Sequence, residues 1–473
     1  MNSVMLFGTA GVRGPYPSKV SPKLIYDIAL TSSYVIAKNK GSAVIGHDSR
    51  LTSPLLSLAA SSGFMAGGLD AILIGVSPLP VVAFEVKKTR SSLGASISAS
   101  HNPPADNGIK LFKKEGLELF RSEEAEIERS LGSFAEVEWN RAGAFTFESN
   151  ANESYINEML DRFDESAWRR RDRPKVLVDC ANGAASSVTP KLLREMGLER
   201  ILTINCNLDG TFPGRLPEPR PDVMRSIQPL LDSSDAEILL AHDGDADRLA
   251  ILSKGVGFVK QDLIIALLAR RVLRDHRGTV VVSVDVGYEV QEVVEKLGGK
   301  IIRAPLGRLH EYISGDVIMA AEPWKFIDPS WGLWPDGIYQ AAAIVDEVMI
   351  SGQTFNEMVY SLPSYPNARL SFRLSNDKDE EELFNVVSQN IEKALNSKVI
   401  SIITIDGVRV EYDDNSWILV RASGTESKLR LYAQAVRPMR LKELVDNAKD
   451  IVLSAAGSLG IKVEGVEEAI NMA

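Results

Sequence analysis

The chain has 473 residues, 45% of them hydrophobic and 25% charged, with a formal net charge of −10 and a pI of about 5.3. That length suits two to four domains with real cores. The acidic balance argues against nucleic acid as the main partner, while a few converging Arg and Lys still suit a small anion. Two cysteines make a disulfide framework unexpected and a reducing cytoplasm the expected location; neither a signal peptide nor a membrane span is predicted, because no long apolar run escapes proline or charge.

In chain order, Ser21-Pro22 predicts a capped helix running through Tyr34. A buried strand follows at residues 43–46, then a helix from Ser53-Pro54 that stops at Gly67-Gly68, and a strand at 71–74. This alternation of strands and crossover helices runs to about residue 145, ending in an acidic helix near Glu123 to Glu128. The second stretch opens with the strand at 175–179 and a helix near 190–195, and closes with strands at 237–240 and 249–252. The third carries a helix from Gln261, a strand from Thr279, a helix from Tyr288, a strand at 301–302 and a long helix from Asp336 to Ile350. The proline pair in Leu362-Pro363-Ser364-Tyr365-Pro366-Asn367 predicts a linker. Beyond it, five strand signals with one acidic helix among them and another at the end predict an antiparallel α+β domain. The expected division is therefore 1–145, 146–253, 254–366 and 367–473: three similar mixed-sheet α/β domains and a smaller C-terminal α+β domain.

Several stretches carry chemistry. Ser98-Ala99-Ser100-His101-Asn102-Pro103-Pro104 ends a strand-like run, and its prolines forbid continuation as a helix or central strand. Ser100 is expected on a tight loop. A Ser beside a His is more often a surface polar pair than a nucleophile; Lys110 and the downstream carboxylates turn the reading toward phosphoryl chemistry. In His242-Asp243-Gly244-Asp245-Ala246-Asp247-Arg248 the carboxylates alternate with small residues between two apolar strands. An extended turn then puts Asp243, Asp245 and Asp247 on one side, a set suited to Mg²⁺. A calcium EF-hand loop is excluded because Arg248 and Lys254 stand where Gly and Glu are needed. A solvated acidic turn is the remaining rival.

Arg421-Ala422-Ser423-Gly424-Thr425-Glu426-Ser427 offers a guanidinium fork, hydroxyls and a free backbone for a phosphate, although a charged hairpin turn has the same composition. Phe7-Gly8-Thr9-Ala10-Gly11-Val12-Arg13-Gly14 is glycine-rich without being a P-loop, and it would bring Arg13 toward a phosphate. Asp48 and Arg50 either brace that region or form a structural ion pair. In Glu322-Pro323-Trp324-Lys325, Glu322 and Lys325 have the chemistry to meet a sugar phosphate, but the residues alone favour a core Trp with a surface Lys.

Together, FGTAGVRG at 7–14, ASHNP at 99–103, NGIK at 107–110, DGDADR at 243–248 and RASGTE at 421–426 resemble the α-D-phosphohexomutases, the phosphomannomutase and phosphoglucomutase superfamily, over the whole chain. The resemblance implies four domains, each presenting a loop to a central cleft. It implies Ser100 as a covalent phosphoserine and Asp243, Asp245 and Asp247 as Mg²⁺ ligands, with the phosphoserine oxygen completing the site. Lys110 would act as general acid/base, helped by Arg13 and His101. Arg421, Ser423, Gly424 and Thr425 would clamp the unreactive phosphate, and Arg248, Arg308, Glu322 and Lys325 would complete substrate binding. The implied activity moves a phosphoryl group between the 1- and 6-positions of mannose or glucose phosphate through a sugar bisphosphate. Phosphoglucosamine mutase, phosphopentomutase and a non-catalytic sugar-phosphate sensor are the alternatives, and a monomer or homodimer is expected. The third loop departs from the family's usual Gly-Glu-x-Ser-Gly-His, keeping Glu322 but carrying Trp324, Lys325 and Phe326, so the sugar is left open.

Overall fold

The computed structural model describes residues 6–8, 11–170, 172–423 and 427–471, and within these leaves aside the side chains of residues 275 and 377. Four sheets follow one another along the chain. The first has seven strands. Its centre is parallel: Ser42–His47 lies between Asp70–Val76 and Leu93–Ile97. The antiparallel strands Asp106–Lys113 and Val12–Pro15 extend one side. The parallel hydrogen bonding makes crossovers obligatory, and helices Pro22–Val35, Ser53–Ala66 and Leu79–Thr89 supply covering layers. Ser21 caps the first of these by accepting from the Leu24 amide.

The second sheet has five strands and the third four, each with a parallel centre and an antiparallel edge. Phe145–Phe147 pairs with Asp70–Val76 in the first sheet, and Gly257–Phe258 pairs with Leu249–Ser253 in the second. Both sheets therefore run a few residues past the boundaries expected at 145 and 253. The last sheet has six antiparallel strands, flanked by helices Asp377–Ser388 and Pro438–Leu459. Its edge strand Val463–Asn471 was not expected: it is mostly exposed and glutamate-rich, so it has no apolar alternation to read. Strand Val317–Glu322 was also missed, and it runs parallel to Thr279–Ser283.

The sheets share interfaces. Arg409 is fully buried between the third and fourth: its guanidinium donates to the Val284 and Val286 carbonyls at 2.8 and 3.0 Å and lies 3.8 Å over the Trp417 ring. The Gln434 side chain bonds both Glu289 and the Tyr288 amide, each at 2.8 Å. Among the described residues, no helix is long and apolar enough to cross a membrane.

Candidate active site

The parallel strands Ser42–His47 and Leu93–Ile97 end at the same edge, which brings Asp48 beside Ser98. Asp48 is buried and fully used: its carboxylate accepts from the Arg50 amide at 3.0 Å, Arg50 Nε at 2.9 Å, Ser53 Oγ at 2.6 Å and Ser98 Oγ at 2.7 Å. Arg50 then donates to the carbonyls of Ser100, Asn102, Pro103 and Asp106 at 2.5 to 3.0 Å. The structural ion-pair reading holds, and the loop the pair braces is the serine loop rather than the glycine-rich segment at 7–14. Ser98 Oγ in turn accepts from the Ser100 amide at 2.7 Å. These bonds hold Ser100 at φ +50°, a left-handed conformation that costs a non-glycine residue about 1–3 kcal/mol.

The aspartate turn lies between strands Ile238–His242 and Leu249–Ser253. Three separate segments cap its backbone: the Ala184, Leu79 and Gly337 amides donate to the Gly244, Asp245 and Ala246 carbonyls at 3.0, 2.9 and 3.1 Å. With the carbonyls taken, the three carboxylates converge, one oxygen of each within 4.8 Å of the others, all buried. Ser100 Oγ donates to Asp243 Oδ2 at 2.6 Å, so the serine and aspartate loops meet. Gly244 permits the approach, because a Cβ there would lie 2.6 Å from the Ser100 carbonyl oxygen.

Charge decides what this group can hold. Burial first, then repulsion from the neighbouring aspartates, pushes the Asp243 carboxyl well above the usual carboxylate range and raises Asp245. For Asp247 burial pushes the same way, but Lys325, Lys110 and Arg248 outweigh it and hold it ionised. Buried oxygens Asp245 Oδ1 and Asp247 Oδ1 have no hydrogen-bond partner among the described residues. Orphaned anionic oxygens in an all-carboxylate set fit a hard divalent cation.

The candidate cations line up on one side. Lys110 Nζ lies 3.3 Å from both Asp247 and Glu118. Lys325 Nζ lies 3.5 Å from Asp247 and 3.4 Å from Glu322, and Arg248 Nε is 3.8 to 3.9 Å from Asp247 and Asp243. Arg13 sits opposite Gly108 in the first sheet, where its charge lowers the pKa of Asp245 and its buried Nε has no partner among the described residues. His101 Nδ1 is 3.3 Å from Ser100 Oγ; burial, then Arg248 and Arg13, hold its pKa well below 6.5, so the ring is neutral. Lys325 corrects the residue-level expectation: it is 8% exposed, not a surface lysine, and Trp324 is half-buried at φ +71°. Lys325 follows a hairpin that starts at Glu322, the end of the missed strand.

Arg308 and His310 dock on the chain just after strand Leu117–Glu118 and on helix Arg121–Ser130. Arg308 is 2.9 Å from Glu124, and His310 Nε2 is 3.3 Å from the Leu119 carbonyl. Glu322 accepts from the Gly307 amide at 2.6 Å. Arg421 binds Asp406 at 2.7 Å, and the Ser423 amide donates to Glu380. Gly424 and Thr425 lie outside the described residues. Sequence reasoning missed Glu118, whose carboxylate remains ionised: burial opposes ionisation, but Lys110, His310 and Lys325 favour it more strongly. It sits in the unremarkable run Gly116-Leu117-Glu118-Leu119 and faces Lys110 only through the pairing of Leu117–Glu118 with Asp106–Lys113.

A buried serine hydroxyl against a three-carboxylate, cation-flanked group, built by the first three sheets, defines a phosphotransferase class of site. Residues 4–137, 153–257 and 373–451 match the family models for domain I, domain II and the C-terminal domain of phosphoglucomutase/phosphomannomutase. The chain is 36% identical over 451 residues to a phosphopentomutase of Thermococcus kodakarensis, covering 94% of this chain and 97% of that one. It is 34% identical over 454 residues to a probable phosphoglucosamine mutase of Methanopyrus kandleri, covering 94% and 97%. The crystal structure of a phosphoglucomutase/phosphomannomutase family protein from Burkholderia thailandensis superposes with a TM-score of 0.84 at 22% identity, covering 98% of this chain and 100% of that one. The chain belongs to the phosphoglucomutase/phosphomannomutase family and is a phosphomutase, an isomerase-type phosphotransferase.

Proposed function

We propose that this enzyme moves a phosphoryl group between the 1- and 6-positions of a hexose phosphate, mannose or glucose, through phospho-Ser100 and a sugar bisphosphate. The observation that carries the reading is the 2.6 Å contact between Ser100 Oγ and a carboxylate of the buried aspartate group. Asp243, Asp245 and Asp247 are the residues that would hold Mg²⁺, which when bound neutralises charge on the phosphoryl oxygens. In the first half-reaction the sugar hydroxyl oxygen bonds to phosphorus as the bond to Ser100 Oγ breaks. The second half reverses this with the bisphosphate's other phosphoryl group. Lys110 carries the proton at the sugar oxygen, with Glu118 holding its ammonium. Proton transfer of this kind contributes about 10²–10⁴, so most of the acceleration falls to charge placement by Arg13, Arg248 and Lys325 and to exclusion of water. Arg421, Ser423, Gly424 and Thr425 hold the phosphate that is not reacting. The working division is 1–145, 146–253, 254–366 and 367–473, in a cytoplasmic monomer or homodimer.

A pentose phosphate is the second reading. It is favoured by Lys325, which engages Glu322 and so occupies a carboxylate otherwise available to sugar hydroxyls, and by the 36% identical relative named a phosphopentomutase. The test is intact-mass analysis with peptide mapping, coupled to side-by-side assays on mannose, glucose, glucosamine and ribose 1-phosphates. The expected result is one phosphate on Ser100, turnover of at least one sugar with almost no inorganic phosphate released, and loss of both in Ser100→Ala. Normal turnover in Ser100→Ala overturns the reading; binding without turnover by the phosphorylated, Mg²⁺-loaded protein assigns a sensor instead.

A further inference from the structure

We propose that Asp406 is a positioning residue: it aims the phosphate-clamp arginine, Arg421, and ties it to the loop that faces the sugar. The inference rests on the mutase reading above. Asp406 lies in the turn between strands Val399–Ile403 and Val408–Tyr412. Asp-Gly is ordinary hairpin chemistry, and on that ground alone the aspartate would need no further role. Its contacts point elsewhere. Asp406 Oδ1 and Oδ2 lie 2.9 and 2.7 Å from Arg421 Nη2, and Oδ2 also accepts from the Leu306 amide at 2.9 Å. One carboxylate thus joins the last sheet to the third sheet's loop. Gly407 makes the approach possible: it sits at φ +82°, and a Cβ there would lie 2.5 Å from Arg421 Cγ and 2.2 Å from the Val420 carbonyl oxygen.

The clamp side of this arrangement still has donors to spare. Arg421 is 8% exposed, and its buried Nε has no hydrogen-bond partner among the described residues; the same holds for Ser423 Oγ. Asp406 takes the Nη2 end of the guanidinium and leaves Nε as a donor for a phosphate oxygen, a charge-assisted bond. From Leu306 the chain of contacts continues through the next residue. The Gly307 amide binds Glu322 at 2.6 Å, Glu322 binds Lys325 at 3.4 Å, and Lys325 lies 3.5 Å from Asp247. Clamp, sugar-facing loop and aspartate group are therefore joined by contiguous bonds. A bisphosphate that turns over presents each phosphate in turn to one clamp, so the clamp must keep a constant offset from Ser100. Asp406 is the group that refers Arg421 to the third sheet as well as to its own.

The test is a double-mutant cycle on the full-length, phosphorylated enzyme, reading KM and kcat for the best sugar monophosphate and competitive inhibition by inorganic phosphate. Asp406→Ala is expected to raise KM and the phosphate inhibition constant together by roughly tenfold, with kcat changed less than about threefold. Because Asp406 acts through Arg421, the Asp406→Ala/Arg421→Ala pair should bind no worse than Arg421→Ala alone, a coupling that independent sites do not show. Asp406→Asn retains the turn chemistry and an acceptor for Leu306 but removes the charge. It should still raise KM by about threefold or more, and Asp406→Glu should recover less than half of the loss, because the longer arm cannot serve Arg421 and Leu306 from one position. Should Asp406→Ala fail to fold, the Asn and Glu variants carry the same test. Wild-type KM in Asp406→Asn, or multiplicative effects in the double variant, overturn the proposal while leaving wild-type turnover and phospho-Ser100 intact. A wild-type enzyme that transfers no phosphoryl group sinks both readings.

Discussion

Arg50 shows how much one buried charge can organise. Its guanidinium meets the Asp48 carboxylate and four carbonyls of the serine loop, and neither Arg50 nor Asp48 is solvated. Truncation leaves a buried carboxylate with no counter-charge, a loss of about 3–5 kcal/mol, and Lys lacks the planar fork to replace it. Urea unfolding of Arg50→Ala and Arg50→Lys should show both destabilised; a wild-type midpoint in Arg50→Lys would contradict this account. His242 carries a pH dependence. Burial lowers its pKa from 6.5 to about 4, and the neutral ring bridges Thr189 and the Arg248 carbonyl. Because the folded value lies below the unfolded one, this contribution is present above pH 6.5 and lost as pH falls toward 4. It amounts to about 2 kcal/mol between roughly pH 7.5 and 5. In metal-free buffer the wild-type urea midpoint should fall more over that interval than that of His242→Gln; equal falls would remove His242 as the cause.

At the scale of elements, loops at the ends of parallel strands do the work. Strand Leu93–Ile97 delivers Ser100, and strand Ile238–His242, parallel to Val176–Asp179, delivers the aspartates. They touch through Gly244, where a methyl group meets backbone rather than a movable side chain. Gly244→Ala must therefore separate the two loops by a sizeable fraction of an ångström. Such misplacement costs about 10²-fold in rate, and single-turnover transfer from the proposed phospho-Ser100 is the measurement. Unchanged transfer would show that the loops need not touch. The hairpin from Glu322 to Lys325 teaches a different lesson. Its Trp and Lys read as core and surface, yet the missed strand Val317–Glu322 carries Lys325 inward to Asp247 and Glu322, where ion pairs offset the cost of burying an ammonium.

For the whole molecule, the buried site is a meeting of charges that no single sheet assembles. Asp243 and Asp245 are raised by burial and mutual repulsion, so a divalent cation should stabilise the folded chain. At about one hundred times its dissociation constant the gain is about 2.7 kcal/mol, or roughly 5 °C in the affected transition. Calorimetry with Mg²⁺ against EDTA should show the shift, and Asp245→Asn should remove most of it. A shift that survives in Asp245→Asn would place the cation elsewhere. The last sheet is also anchored: Arg409 and Gln434 tie it to the third through buried bonds.

Sequence alone determined the α/β alternation, the Ser21-capped helix and the two loops at Ser100 and Asp243 to Asp247. These are local, because caps, prolines and alternating carboxylates act on their near neighbours. Only the tertiary structure decided that Glu118 faces Lys110, that Lys325 turns inward and that Asp406 joins Arg421 to Leu306. Each of those pairings spans strands or sheets, and a side chain's partner across a sheet depends on register and topology rather than on the residues beside it.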